Sequence, residues 1–462
     1  MLSLTLLATA CGDDSPDKIG FDFAGKPQPG VPSRVAWQAH LDHKVDNLAV
    51  DSGTFVVTSE FLGISGITAL DATSGATLFD DRVDALPRDL DGVLAFGGGR
   101  LLVGASGDGG VNGRVDAFDA TAGTKLWSAP LDLNDPLPVI VGDAVVIANH
   151  DQGASTGHVH LYALADGAER WSTPLSIAPV AKPESNDHDR SAPLLAVDGS
   201  TLTVRTGTGT SLAGIDLRAG TVAFEYDAER PVLEVRPIEA KDRVVVLTTG
   251  ANDTDLQHRV AAVSIRTGEL AWSQDTYDNR FVVNGDDVLV KGDSDGTWNA
   301  FDIASGSLHW NNYGDGSSIV ATSGNFAVTD GLSVFDLTTG ERAWGTGRYQ
   351  TPEDLHVVGD VVLGNSLTHD PTAYDLATGD KLWTLADGFV RTVLEPSGTV
   401  LTQIDDVVEL RDLRSGAVLW KLTVGDTIGV RTTTDADGNL YIILDKYRQD
   451  IATIVAITPP TA

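Results

Sequence analysis

The chain has 462 residues, 65 acidic against 32 basic, giving a formal charge of −33. A surface this acidic repels nucleic acid and anionic lipid headgroups, and no nucleic-acid partner is expected. The one cysteine, Cys11, excludes intrachain disulfides and clusters of protein thiolates.

At the N-terminus, Leu6-Leu7-Ala8-Thr9-Ala10-Cys11-Gly12 places an apolar stretch and small residues before the cysteine. The pattern resembles a bacterial lipobox, in which the cysteine is lipidated and becomes the mature first residue. No Lys or Arg precedes Lys18, and only ten residues precede Cys11, so residues 1–11 read as a signal segment shortened at its start. Residues 12–33 are polar and rich in Pro and Gly, the composition of a flexible linker. No later stretch is apolar for 18 residues, so no membrane-spanning helix is expected. The expected location is a bacterial membrane, on its periplasmic or extracellular face, with lipid on Cys11 as the anchor.

From residue 34 onward one motif recurs nine times: a small or apolar pair, an Asp, a Gly four residues on, and an aromatic four beyond that. Successive copies place Asp71, Gly75 and Phe79; Asp119, Gly123 and Trp127; Gly167 and Trp171, in a copy that reads two residues short; Gly220 and Phe224; and Gly268 and Trp272. The remaining four place Asp302, Gly306 and Trp310; Asp336, Gly340 and Trp344; Asp375, Gly379 and Trp383; and Asp412, Gly416 and Trp420. The glycines are 34 to 53 residues apart, an interval that signals a solenoid, propeller or array. Each interval holds two further apolar runs split by a Gly-Asp type turn, as in Pro138-Val139-Ile140-Val141, Gly142-Asp143 and Ala144-Val145-Val146-Ile147. Four strands per unit is the content of a propeller blade.

The motif has a mechanical reading. The Asp caps a turn by accepting backbone N–H bonds, the Gly takes positive φ, and the aromatic opens an outer strand and wedges against the next blade. The Ala-Leu-Asp run reads as an inner strand. Half-units at Arg34-Val35-Ala36-Trp37 and Ile454-Val455-Ala456-Ile457 complete one more blade and close the ring, which removes exposed strand edges. Residues 34–458 are therefore expected to form a single all-β propeller of four-stranded blades. Ten units are counted, with eight as the alternative because propellers commonly have four to eight blades.

The Ala-Leu-Asp-x-x-Thr-Gly-x-x-x-Trp pattern resembles the tryptophan-docking motif of PQQ-like, quinoprotein-type β-propeller repeats, across nearly the whole of residues 34–458. That superfamily holds PQQ-dependent dehydrogenases and non-enzymatic propellers. The BamB-like envelope lipoproteins are among the latter and resemble this chain in being lipid-anchored. The dehydrogenases typically carry adjacent cysteines on the cofactor, acidic and amide calcium ligands and an Asp base. With Cys11 alone, no such cysteine pair exists here, and no catalytic residue carries over position by position.

Other constellations read as structural. His150, Asp151, His158 and His160 cluster around a loop, but His158 and His160 alternate with Val159 on a strand, and no metal site is assigned. Asp187-His188-Asp189-Arg190 reads as a solvated loop. Asp435-Ala436-Asp437-Gly438-Asn439 starts like a calcium loop yet lacks the distal Glu and reads as a hairpin turn. Trp298, the one tryptophan off the docking position, lies near a strand start and is the best single candidate for an exposed contact residue. Long connections at 105–113, 149–157, 182–191, 206–211, 251–258, 365–371 and 445–450 are expected on one face, with the Asp…Gly turns on the other. These readings lead to a monomeric, non-enzymatic envelope scaffold that takes no cofactor and offers its loop-rich face to a protein partner. A PQQ- and calcium-dependent oxidoreductase is the alternative, and a glycan- or cell-wall-binding module a third reading.

Overall fold

The computed structural model describes residues 20–23 and 31–458, except 33, 42, 44, 46, 62–63, 84–92, 106–112, 132–137, 151–154, 178, 180–194, 207–208, 250–257, 278–279, 293–295, 314–316, 347–353, 366–369, 425–426, 436 and 447–451. Cys11, Asp151, the 187–190 cluster and the greater part of the long connections lie outside the described residues.

Ten antiparallel sheets follow one another along the chain, nine of four strands and one that adds a fifth to its four. They form a ten-bladed propeller. Blades 1 to 9 span residues 47–83, 93–130, 139–175, 195–227, 232–276, 282–313, 319–345, 354–384 and 389–423. Blade 10 combines three C-terminal strands, Thr427–Thr434, Leu440–Lys446 and Ala452–Thr458, with Arg34–Leu41 as its outermost strand. The first strand of blade 1 abuts the first strand of blade 10, as do the first strands of other neighbouring blades. The N-terminal strand thus closes the ring, and the edge it would leave on blade 10 is paired.

Burial assigns each strand its place. First strands such as Val139–Val141 and Val282–Asn284 are half-buried throughout and surround the axis. Second and third strands, such as Arg243–Thr248 and Ala452–Thr458, are buried on both faces, so they read as largely apolar runs. Fourth strands alternate exposed and buried, as in Lys125–Pro130. The Ala-Leu-Asp run is therefore the third strand of its blade and not the inner one expected. Its uniform apolarity comes from packing against two neighbouring blades rather than from proximity to the axis.

Two further differences emerge. Inside the segment expected to be a linker, Gly20–Phe23 pairs antiparallel with Val418–Thr423 as a fifth strand on blade 9, and Val31 is buried in the core between blades 9 and 10. The copy at Gly167 is not short. Ala163 takes the Asp position, and the same turn closes with the Gly167 N–H donating to the Ala163 carbonyl at 2.9 Å.

Candidate functional site

At one end of the ring lie the nine repeated turns. In each, the glycine N–H returns to the carbonyl four residues earlier, as from Gly75 to Asp71 at 2.8 Å and from Gly306 to Asp302 at 2.8 Å. Where an Asp precedes the turn, its Oδ1 accepts backbone N–H groups two or three residues on. At Asp71 these come from Thr73 and Ser74, at 3.0 and 2.8 Å. Hydroxyls of Thr73 and Ser74 hold the Asp71 carboxyl below the usual range; Ser305 does the same for Asp302.

The aromatic of each blade docks on the turn of the next. Indole N–H groups of Trp37, Trp127, Trp171, Trp272, Trp310, Trp344 and Trp383 donate to carbonyls of Ala72, Leu164, Leu217, Ile303, Leu337, Leu376 and Leu413, at 2.7 to 3.1 Å. The turn glycine beside each carbonyl has φ between +63° and +75°, and a Cβ there would strike the ring. Phe79 and Phe224 fill the same place without the hydrogen bond, beside Gly123 and Gly268. Trp420 completes the set by donating to Pro32 at 2.8 Å, because blade 10 has no turn of its own.

One recurrent device was not read from the sequence. Every third-to-fourth strand pair carries a register shift that leaves the residue before the aromatic unpaired, Leu126 before Trp127 and Ala271 before Trp272 among them. Such a bulge re-aims the following side chain, here toward the neighbouring blade. The slot holds Ala or Leu in eight blades but Arg170 and His309 in the other two, so the sequence carries no consistent trace of it.

Buried charge on the third strands is satisfied internally. Asp116 and Glu409 each lie three residues before a turn Asp. Burial works to raise both carboxyls, yet Arg114, Lys125 and Ser128 hold Asp116 low, and Lys421 and Arg411 hold Glu409 low. These are clamps within a blade.

Trp298 is 3% exposed and packs among Leu289, Ala300, Ile319 and Ala327 between blades 6 and 7, so the expectation of an exposed contact residue there is corrected. Strand alternation turns it inward, although its Nε1 has no acceptor among the described residues. His158 and His160 do share a face, with ring centroids 5.8 Å apart; His160 stacks on Tyr162 and lies 3.6 Å from Glu169. Among the described residues no three His, Cys, Asp or Glu side chains converge as a metal site. The Asp435 carboxylate is spent on its own hairpin, accepting from Asn439 N–H and Tyr441 Oη at 2.9 Å each.

The opposite end of the ring does not repeat. There the second and fourth strands end and the first and third begin, and the described residues at those strand ends differ from blade to blade. Phe389, at the start of blade 9, is 40% exposed, with the Arg391 guanidinium 4.3 Å above its ring and Arg391 Nε donating to Gln403 Oε1 at 2.8 Å. Ile177, just past the end of blade 3, is equally exposed. On blade 5, burial pushes the Glu234 carboxyl up despite Arg236 at 3.7 Å, and Arg236 in turn lies over Phe281. Arg431 of blade 10 is fixed by Asp445 at 2.9 Å.

The family model described as outer membrane protein assembly factor BamB matches residues 30–193 and 155–385, more than three quarters of the chain. The chain belongs to the BamB family. Solved structures similar to this BamB-family chain include BamB from Moraxella catarrhalis, at 19% identity over 73% of this chain and 99% of that one, with a TM-score of 0.42. Another is the quinohemoprotein alcohol dehydrogenase from Comamonas testosteroni, at 14% identity over 93% and 77%, with a TM-score of 0.40. A curated relative, lupanine 17-hydroxylase [cytochrome c] from a Pseudomonas species, is 30% identical over 187 residues. That match covers 36% of this chain and spans only a quarter of the relative's length.

Proposed function

We propose that this BamB-family propeller is a non-enzymatic scaffold of the bacterial envelope, held by lipid on Cys11, that engages a protein partner through the end opposite the docking turns. The observation that carries this reading is the asymmetry of the ring. One end is nine copies of a turn already occupied by its neighbour's aromatic. The other diverges from blade to blade and exposes Phe389 beside Arg391, residue types that anchor interfaces. The family match to an assembly factor supports it. The test places a photo-crosslinking residue at position 389 and, in a second variant, at the turn residue Ser305, in cells that make the chain. A single envelope protein captured from 389 and not from 305 is expected. Capture from both positions alike, or from neither, overturns the reading.

The segmental match to lupanine 17-hydroxylase favours one alternative, a quinoprotein oxidoreductase. Gel filtration of the full chain with PQQ and Ca²⁺, read by absorbance, separates the two. Stoichiometric retention of the quinone would replace the scaffold with the enzyme. The third reading, a glycan-binding groove, drew on an exposed Trp298 and loses that support with its burial.

A further inference from the structure

Blade 4 contains an arginine that the fold does not explain. Its second strand, Thr201–Thr206, sends Leu202 and Val204 toward blade 3, where they pack with Ala144 and Val146. The alternate residues, Arg205 among them, face blade 5. Arg205 pairs across the strands with Leu212, which lies in the apolar cluster of Val232, Val235 and Val246. The arginine is 3% exposed. Among the described residues its one hydrogen bond runs from Nη2 to the Leu233 carbonyl at 3.3 Å, and Nε is sealed from solvent with no acceptor. No carboxylate forms an ion pair with it among the described residues. The nearest in sequence across the interface, Glu234, is turned to Arg236 and to the Phe281 N–H.

Packing does not demand an arginine here. The same register position is Ala148 in blade 3 and Leu247 in blade 5, both fully buried. A guanidinium stays charged in proteins, and an uncompensated buried charge costs several kcal/mol. The chain has two carboxylates for every cation, yet none of the described ones pairs with Arg205. Burial pulls the Arg205 pKa down with no opposing charge to restore it. Among the described residues Nη1 also donates to nothing, and unlike Nε it is not enclosed. The guanidinium therefore has a face with unused donors that reaches solvent at the end of the second strand, the non-repeating end of the ring. Gly209, at φ +84°, lies beside the arginine stem, its Cβ position 3.5 Å from Arg205 Cδ, an ordinary contact.

We propose that Arg205 is the receptor of a small oxyanion, a carboxylate or phosphate, bound between blades 4 and 5 at the non-repeating end. The planar fork of donors matches two oxygens of either group. The net charge of −33 does not forbid it, because at physiological salt a field is screened beyond about 8 Å and the local donors dominate.

The test is thermal unfolding of the full chain titrated with inorganic phosphate and, separately, with acetate, each against sodium chloride at matched ionic strength. A saturable rise in midpoint is expected with at least one of the two probes, and which one responds identifies the anion. Arg205→Met is expected to abolish the rise and to unfold, without anion, no earlier than the wild type. Arg205→Lys keeps the charge without the fork and is expected to raise the half-saturating concentration about tenfold. The proposal is overturned if neither probe gives a saturable response in the wild type. It is equally overturned if Arg205→Met responds as the wild type does or, should that variant fail to fold, if Arg205→Lys titrates unchanged.

Discussion

At Gly306 two physical demands coincide. The backbone sits at φ +70°, and a Cβ would enter the Trp272 ring. Gly285, in the same blade, has φ +58° with open space around it. Gly285→Ala is therefore expected to cost only the backbone penalty, about 1–2 kcal/mol. Gly306→Ala adds overpacking of about 1–3 kcal/mol. Denaturant midpoints of the two variants measure the difference, and equal midpoints would mean the close approach to tryptophan carries no energy. The turn carboxylates act at the same scale. Asp302 is held below its ordinary value, mainly by the Ser305 hydroxyl, so its contribution is complete above the unfolded pKa of about 4 and is lost as pH falls through the folded value. The stability gap between wild type and Asp302→Asn should accordingly be open at pH 7 and close toward pH 2. A gap that does not change with pH would assign the loss to something other than ionisation.

Among the elements, the N-terminal segment does more than its composition suggests. Gly20–Phe23 pairs with the rim of blade 9, Val31 is buried, and Pro32 offers the carbonyl that Trp420 needs. A chain starting at residue 34 loses all three. Losing the buried Val31 side chain and orphaning a buried indole N–H together cost on the order of 3 kcal/mol. Truncation should lower the denaturation midpoint, and Trp420→Phe should then cost less in the truncated chain than in the full one, because its acceptor is already gone. Equal costs in both backgrounds would show that the Pro32 bond is idle. The segment was illegible because a strand that binds one outer edge through backbone groups needs no apolar periodicity. The docking motif was legible for the opposite reason: Asp, Gly and aromatic sit within nine residues, each doing a local job. Third strands were mistaken for inner ones because burial on two faces looks the same in sequence whatever lies beyond. Arg205 left only one trace, a charge within the strand-like run Thr201-Leu202-Thr203-Val204-Arg205-Thr206.

For the molecule as a whole, charge opposes compactness. Sixty-five carboxylates face 32 cations, and fully exposed pairs such as Arg170 with Asp143 add little against that repulsion. Raising the salt shortens the screening length from roughly 30 Å at 0.01 M to roughly 3 Å at 1 M. Self-repulsion should weaken more than the pairs do, so the thermal midpoint should climb over that range. A fall would mean that surface ion pairs, rather than net charge, govern stability.

The seam in blade 10 has one more consequence. Arg34 and Thr458 are paired strand residues, and Thr458 occupies the place that Asp holds in most other blades. A four-residue connection of the form Leu-x-x-Gly between them would write a tenth docking turn, with its leucine carbonyl standing in for that of Pro32. The chain could then be opened at a non-repeating connection of another blade, and a circular permutant should fold with its entry and exit moved around the rim. Where the polypeptide begins is a choice the ring leaves free.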